Sequence, residues 1–203
     1  MGSRFIKTSS RPDLNLIVVY PGVGYGTQAY VEGRINEHVL PHVDASNVLI
    51  AIAERHNTDW GELLTDIDTY ARNEQINLKP GAIIGWSGGA TGVAKAIDAG
   101  HEFPAILLAD PSPVPGAFQD ARVRMWYQPS NWKGRYEALG PRQAAQAETM
   151  GERAILVQLD HNQILDEVLK TAITKQKSGI PLPLLIGVPA VLLTAALVWR
   201  ASR

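Results

Sequence analysis

Cysteine is absent from the 203 residues, which excludes a disulfide framework, a thiolate nucleophile and any cysteine-held zinc or iron–sulfur site. A surplus of either charge is missing too: 19 Lys and Arg stand against 20 Asp and Glu, a formal net charge of -1. Without a basic excess nothing draws a phosphate backbone, so nucleic acid is not expected as a partner. HExxH, paired-carboxylate and Walker-type patterns are lacking, and neither a metal nor another cofactor is expected. Charged residues are only 19% and hydrophobic ones 45%, a balance that permits a real core and argues against disorder. Any chemistry is left to oxygen and nitrogen side chains.

The two ends differ. The first residues, MGSRFIKTSSRPDLN, hold Arg4, Lys7 and Arg11 but no apolar run of signal-peptide length, and Ile6 stands where a myristoylation motif needs Ser or Thr. Residues 179–199, GIPLPLLIGVPAVLLTAALVW, carry no charge. Roughly 20 helical residues at about 1.5 Å each cover the about 30 Å of a bilayer's hydrocarbon core. Lys175 and Lys177 precede the run, Arg200 and Arg203 follow it, and Trp199 stands where an interfacial aromatic belongs. The run is read as a single membrane helix, a tail anchor that leaves the preceding domain in the cytoplasm. A buried core helix is the competing reading, but Pro181, Pro183 and Pro189 are better tolerated in a membrane, and soluble helices are rarely apolar all round.

Between the ends, runs rich in Val, Ile and Leu alternate with amphipathic stretches. Strands are expected at 14–20, 47–53, 81–85, 105–109, 122–127 and 154–159, and helices at 28–40, 60–73, 91–99, 141–150 and 163–170. Asp59 opens the second helix as a capping box with Glu62. Helical crossovers demand parallel strands, so the fold class is α/β, a doubly wound and mostly parallel sheet of about six strands. The expected division is a tail (1–13), the α/β domain (14–172), a linker (173–179), the transmembrane helix (180–199) and a short basic tail (200–203).

Gly85-Trp86-Ser87-Gly88-Gly89 follows the third strand and opens a helix. This is Gly-x-Ser-x-Gly in the strand–turn–helix setting of a nucleophile elbow, where a tight turn projects the hydroxyl and small flanking residues let helix and strand close up. The N–H of Gly88, at a helix N-terminus, suits an oxyanion. A glycine-rich turn can also cradle a phosphate or simply connect two elements.

On these residues the chain resembles the α/β-hydrolase superfamily over roughly 14–170, in particular its small lidless esterases and cutinase-like lipases. The resemblance implies Ser87 as nucleophile and His161, directly after the final strand, as general base. His38, His42, His56 and His101 read as surface or packing residues, with His56 within reach of the pocket rim. Chain order implies Asp110, in ADPSP after the fourth strand, as the acid, with Asp160 and Asp120 as alternatives; the loop after the fifth strand, Gln128-Pro129-Ser130-Asn131, has no carboxylate. The second oxyanion N–H is implied in Tyr20-Pro21-Gly22-Val23-Gly24, from Val23 or Gly22. Trp86, Trp126, Tyr127 and Trp132 are expected near the same edge, as packing or as an acyl-binding wall.

The implied function is a membrane-anchored serine hydrolase of an ester or thioester, with a small acyl ester or a lipid as substrate and the bilayer as the other partner. The alternative from another class is a non-catalytic, membrane-anchored module that uses the hydrolase fold for interaction or structure. Residue types do not separate ester from amide cleavage, nor do they set the oligomeric state.

Overall fold

The computed structural model describes residues 2–24, 26–114 and 119–178. The run 180–199, read as a membrane anchor, lies outside them; among the described residues no helix is long and apolar enough to cross a membrane.

The apolar runs become seven strands among the described residues: β1 (Arg4–Lys7), β2 (Asp13–Tyr20), β3 (Val48–Ile52), β4 (Asn77–Trp86), β5 (Ala105–Ala109), β6 (Val123–Tyr127) and β7 (Ala154–Leu156). They form one sheet in the order β1-β3-β2-β4-β5-β6-β7. All pairs are parallel except β1 with β3. Residues 4–7, read from sequence as part of a tail, thus supply a seventh strand. Arg4-Phe5-Ile6-Lys7 was too short and too charged to signal one, and it forms because the open edge of β3 pairs with it.

The helices are α1 (Thr27–Arg34), α2 (Trp60–Asn73), α3 (Ala90–Asp98), α4 (Leu139–Met150) and α5 (His161–Ser178). Strand residues alternate between two apolar layers: Leu14, Leu16, Val18 and Tyr20 face α2, α3 and α4, whereas Ile17 and Val19 face α1 and α5. Both sides of the central strands are therefore covered, which explains their lack of polar alternation. An Arg34–Asp166 ion pair ties α1 to α5.

Three local readings change. The helix expected at 28–40 keeps regular α geometry only through Arg34, then widens into a π turn (Ile35–Val39) and tightens into a 3-10 turn (Leu40–His42) that contains Pro41. The strand expected at 81–85 starts at Asn77, and its register shifts at Leu16/Ile17, where Gly81 is passed over. A Cβ on Gly81 would stand 2.7 Å from the Leu16 carbonyl oxygen, so the irregularity needs glycine there. The last strand stops at Leu156, and α5 runs eight residues beyond 170, so 173–178 are helix instead of linker. Ala172 and Ile173 are fully buried, and that burial holds the extension.

The strand order reverses between β2 and β4. After β2 the chain turns to the α1/α5 side, and after β4 it turns to the α3 side, which opens a crevice at the carboxyl ends of these two strands.

Candidate active site

Ser87 stands at that crevice, between β4 and a 3-10 turn (Ser87–Gly89) that leads into α3. Its φ is +53°, a left-handed conformation that costs a non-glycine residue roughly 1–2 kcal/mol. The flanking glycines are sterically required. A Cβ on Gly85 would meet Ala90 N at 2.9 Å, and one on Gly89 would lie 2.2 Å from the Tyr20 carbonyl oxygen. The turn is tied down by Ser112, whose N–H and hydroxyl both donate to the Ser87 carbonyl, at 2.9 and 3.3 Å.

The loop after β2 comes to the same place. A Cβ on Gly22 would stand 3.3 Å from Ser87 Cβ, and one on Gly88 would lie 3.4 Å from the Val23 nitrogen and 2.3 Å from Val23 Cγ2. Gly22, Val23 and Gly88 are thus brought together around Ser87, with the Val23 side chain 63% exposed at the rim.

Asp110 directly follows β5, is fully buried and has φ +42°. Its Oδ1 accepts from Gln128 N–H (3.1 Å) and Gln143 Nε2 (2.9 Å); its Oδ2 accepts from Asn131 Nδ2 (2.9 Å) and faces His161 Nδ1 at 2.7 Å. Three N–H donors already point at this carboxylate, so Oδ2 faces Nδ1 as an acceptor, and a neutral imidazole with its hydrogen on Nδ1 matches it and leaves the Nε2 lone pair free.

His161 is the first residue of α5, and the start of that helix is fixed locally. Asp160 Oδ1 accepts from Asn162 N–H (2.9 Å) and Gln163 N–H (2.8 Å), while Gln163 Oε1 accepts from Asp160 N–H. This reciprocal capping box employs Asp160 as a helix cap and removes it from competition for the imidazole. The other alternative acid, Asp120, pairs with Arg122 and is held below the usual carboxylate range chiefly by that hydrogen bond.

Aromatic rings brace the imidazole. The Trp86 ring lies 5.0 Å from it and donates through Nε1 to the His161 carbonyl (3.1 Å), and Trp132 meets it edge-on at 5.5 Å. Tyr30 of α1 stacks on Trp86, with the ring centroids 5.7 Å apart. Trp126 and Tyr127 pack into the two apolar layers instead.

A cleft of about 540 Å³ joins these parts, lined by Gly22, Val23, Thr27, Tyr30, Trp86, Ser87, His161 and Asn162 among others. No Asp, Glu, Lys or Arg lines it among the described residues. Ser87 and His161 share this cleft without a hydrogen bond between their side chains among the described residues, a separation common before substrate binds. A second hollow, about 580 Å³ beyond Trp132, contains none of the three polar residues.

The remaining histidines lie elsewhere. His38 is beside Glu37, His42 is in the 3-10 turn, and His101 packs on Trp60. His56 accepts the Gly92 N–H at its carbonyl, and burial together with Lys95 holds its imidazole below the ordinary range.

Asn131, Gln143, Tyr30 and Asn162 were not singled out from sequence. Gln143 had a signal: it shares the inward stripe of α4 with Ala147 and Met150, where a buried amide needs a polar partner. Asn131 had none, because its partners lie 21 and 28 residues away.

No protein-family model matches the chain, and no curated protein matches it in sequence. Among solved structures it is similar to the siderophore hydrolase EstB from Aspergillus nidulans, with 12% identity and a TM-score of 0.48 over 84% of this chain and 85% of that one. The siderophore hydrolase EstA from the same organism matches at 12% and 0.45, over 81% and 82%. An uncharacterized protein from Bacillus cereus matches at 13% and 0.47, over 83% of this chain and 61% of that one. Similarity at this level leaves the reading of the site to its own geometry.

Proposed function

We propose that the protein is a serine hydrolase of esters or thioesters that works through an acyl-enzyme on Ser87. The observation that carries this reading is the contact of His161 Nδ1 with buried Asp110 at 2.7 Å, on the cleft that also holds Ser87 in its left-handed turn. A serine hydroxyl needs a base, and an imidazole whose Nδ1–H is already engaged offers Nε2 for that task.

Ser87 Oγ attacks the carbonyl carbon while its proton passes to His161 Nε2. The N–H groups of Gly88 and of Val23 or Gly22 hold the oxyanion. The tetrahedral adduct collapses, the His161 proton goes to the leaving alkoxide or thiolate, and the acyl group stays on Ser87. Water, deprotonated by His161, attacks the acyl carbon; the bond to Ser87 Oγ breaks, that oxygen takes the proton back from His161, and the acid leaves. An uncharged, aromatic-sided cleft suits a neutral acyl group, whether of a small ester or of a lipid.

Residues 180–199 are proposed as a membrane anchor on their sequence alone. α5 starts at the cleft, where the His161 carbonyl accepts from Trp86 Nε1, and its Gln176 lies against Gly81 of β4. Removing 180–199 is expected to abolish vesicle flotation and to spare ester hydrolysis.

The deciding test is labelling with a fluorophosphonate. Wild type should label, and Ser87→Ala and His161→Ala should not. A folded wild type that stays unlabelled and hydrolyses no ester would end the proposal in favour of a non-catalytic module.

A further inference from the structure

The side-chain amide of Asn131 sits where the acid meets the chain that carries the base. Its Nδ2 donates to Asp110 Oδ2 at 2.9 Å and to the Leu159 carbonyl at 3.1 Å. Asp110 Oδ2 is the oxygen that faces His161 Nδ1, and Leu159 lies two residues before His161. Both neighbours of the amide are pure acceptors, so chemistry requires its NH2 end to point at them.

The other two donors to Asp110, Gln128 N–H and Gln143 Nε2, both engage Oδ1. Apart from His161 itself, Asn131 is therefore the restraint on Oδ2 among the described residues. It also ties the segment between β7 and α5, whose preceding backbone anchor is Val157 N–H on the Tyr127 carbonyl. Asn131 does not line the cleft, so it has no route to the substrate except through these two groups.

We infer that Asn131 is a positioning residue: one amide fixes Asp110 Oδ2 and the approach to His161 together, and so sets the orientation of the imidazole. The inference rests on the Ser87–His161–Asp110 reading above and adds to it a residue that never meets substrate. Without this amide the carboxylate pivots about Oδ1 and the Leu159 segment loosens. Misplacing a catalytic group by about 1 Å costs about 100-fold in rate, so a partial loss of this restraint should cost about 10- to 100-fold in kcat.

The test uses the full chain with Asn131→Ala and Asn131→Leu, the second of which nearly keeps the volume of the side chain and removes the donor. Two readouts are taken, kcat and KM on a short-chain p-nitrophenyl ester, and the far-downfield proton resonance of His161 Nδ1–H, assigned by its loss in His161→Gln. Both variants should lower kcat at least tenfold with KM within twofold, and the downfield resonance should broaden or vanish. Melting curves check that each variant is folded. Wild-type kcat in the folded variants, a loss confined to KM, or an unchanged downfield resonance overturns the inference. The resonance needs no turnover, so an inert wild type would retract the hydrolase reading and still leave this clamp tested.

Discussion

Asp110→Asn offers the sharpest test of the site, because the outcome depends on which donor yields. The carboxylate accepts two N–H groups at each oxygen; an amide brings two hydrogens of its own and must set them against one of these pairs. On the Oδ1 side, Gln128 N–H is backbone and cannot turn, and Gln143 Nε2 would have to give up its 2.9 Å bond to the Pro111 carbonyl. On the Oδ2 side, His161 can change tautomer at little cost. The new NH2 is therefore expected to face His161, forcing Nδ1 to accept and Nε2 to carry the proton, the wrong arrangement for a base. Rates should fall by roughly ten-thousand-fold, about 5.5 kcal/mol of barrier. Asn131 keeps a donor pointed at a donor, and a buried donor without a partner costs about 1–3 kcal/mol, so stability should drop by about 2 kcal/mol. Hydrolysis of a p-nitrophenyl ester and urea denaturation read the two effects. A folded variant with more than a tenth of wild-type kcat/KM would refute the tautomer argument and with it the role of Asp110.

Ser87→Gly should remove all hydrolysis and raise stability by about 1 kcal/mol in urea unfolding, because glycine adopts the +53° turn without strain; a variant no more stable than wild type would count against that strain. Gly89→Ala drives a methyl into the Tyr20 and Pro21 carbonyl oxygens, at 2.2 and 2.8 Å, and should cost about 2–3 kcal/mol. Gly33→Ala, in α1 with open space around it, should instead gain about 0.5–1 kcal/mol, and equal thermal shifts for the two would contradict the packing account. His56 titrates below the ordinary imidazole value because of burial and Lys95. Between that lowered value and about 6.5 the unfolded chain binds a proton that the folded one refuses, so stability is full above about pH 6.5 and falls as pH drops. Urea midpoints at pH 5.5 and 7.5 should differ less in His56→Asn than in wild type.

Much of the fold was legible because its signals are local. Two-sided apolar runs, helical spacing after Asp59 and the Gly-x-Ser-x-Gly turn each depend on residues within about a dozen positions of one another. Elements lacking such a signal are not legible in the sequence. β1 is four residues with a charge at each end, and it becomes a strand only because β3 leaves an edge open. The π turn after α1 and the bulge at Gly81 likewise answer to neighbours far along the chain. In the site, Ser87 and the glycines around it carry their own pattern, whereas His161 and Asp110 were placed by resemblance and chain order.

The sequence by itself determined the α/β alternation, the tight serine turn with its required small neighbours and the uncharged run at 180–199, since each follows from spacing and residue type. Tertiary structure alone decided which partners the polar side chains take. Asp160 was as near to His161 in sequence as a residue can be, yet it caps α5, while Asp110, 51 residues away, meets the imidazole. Asn131 completes that contact from a third loop. Parallel strands collect their carboxyl ends, and the loops that follow them, at one edge of the sheet, and the pairings made there are set by the order of strands in space, which no local stretch of sequence encodes.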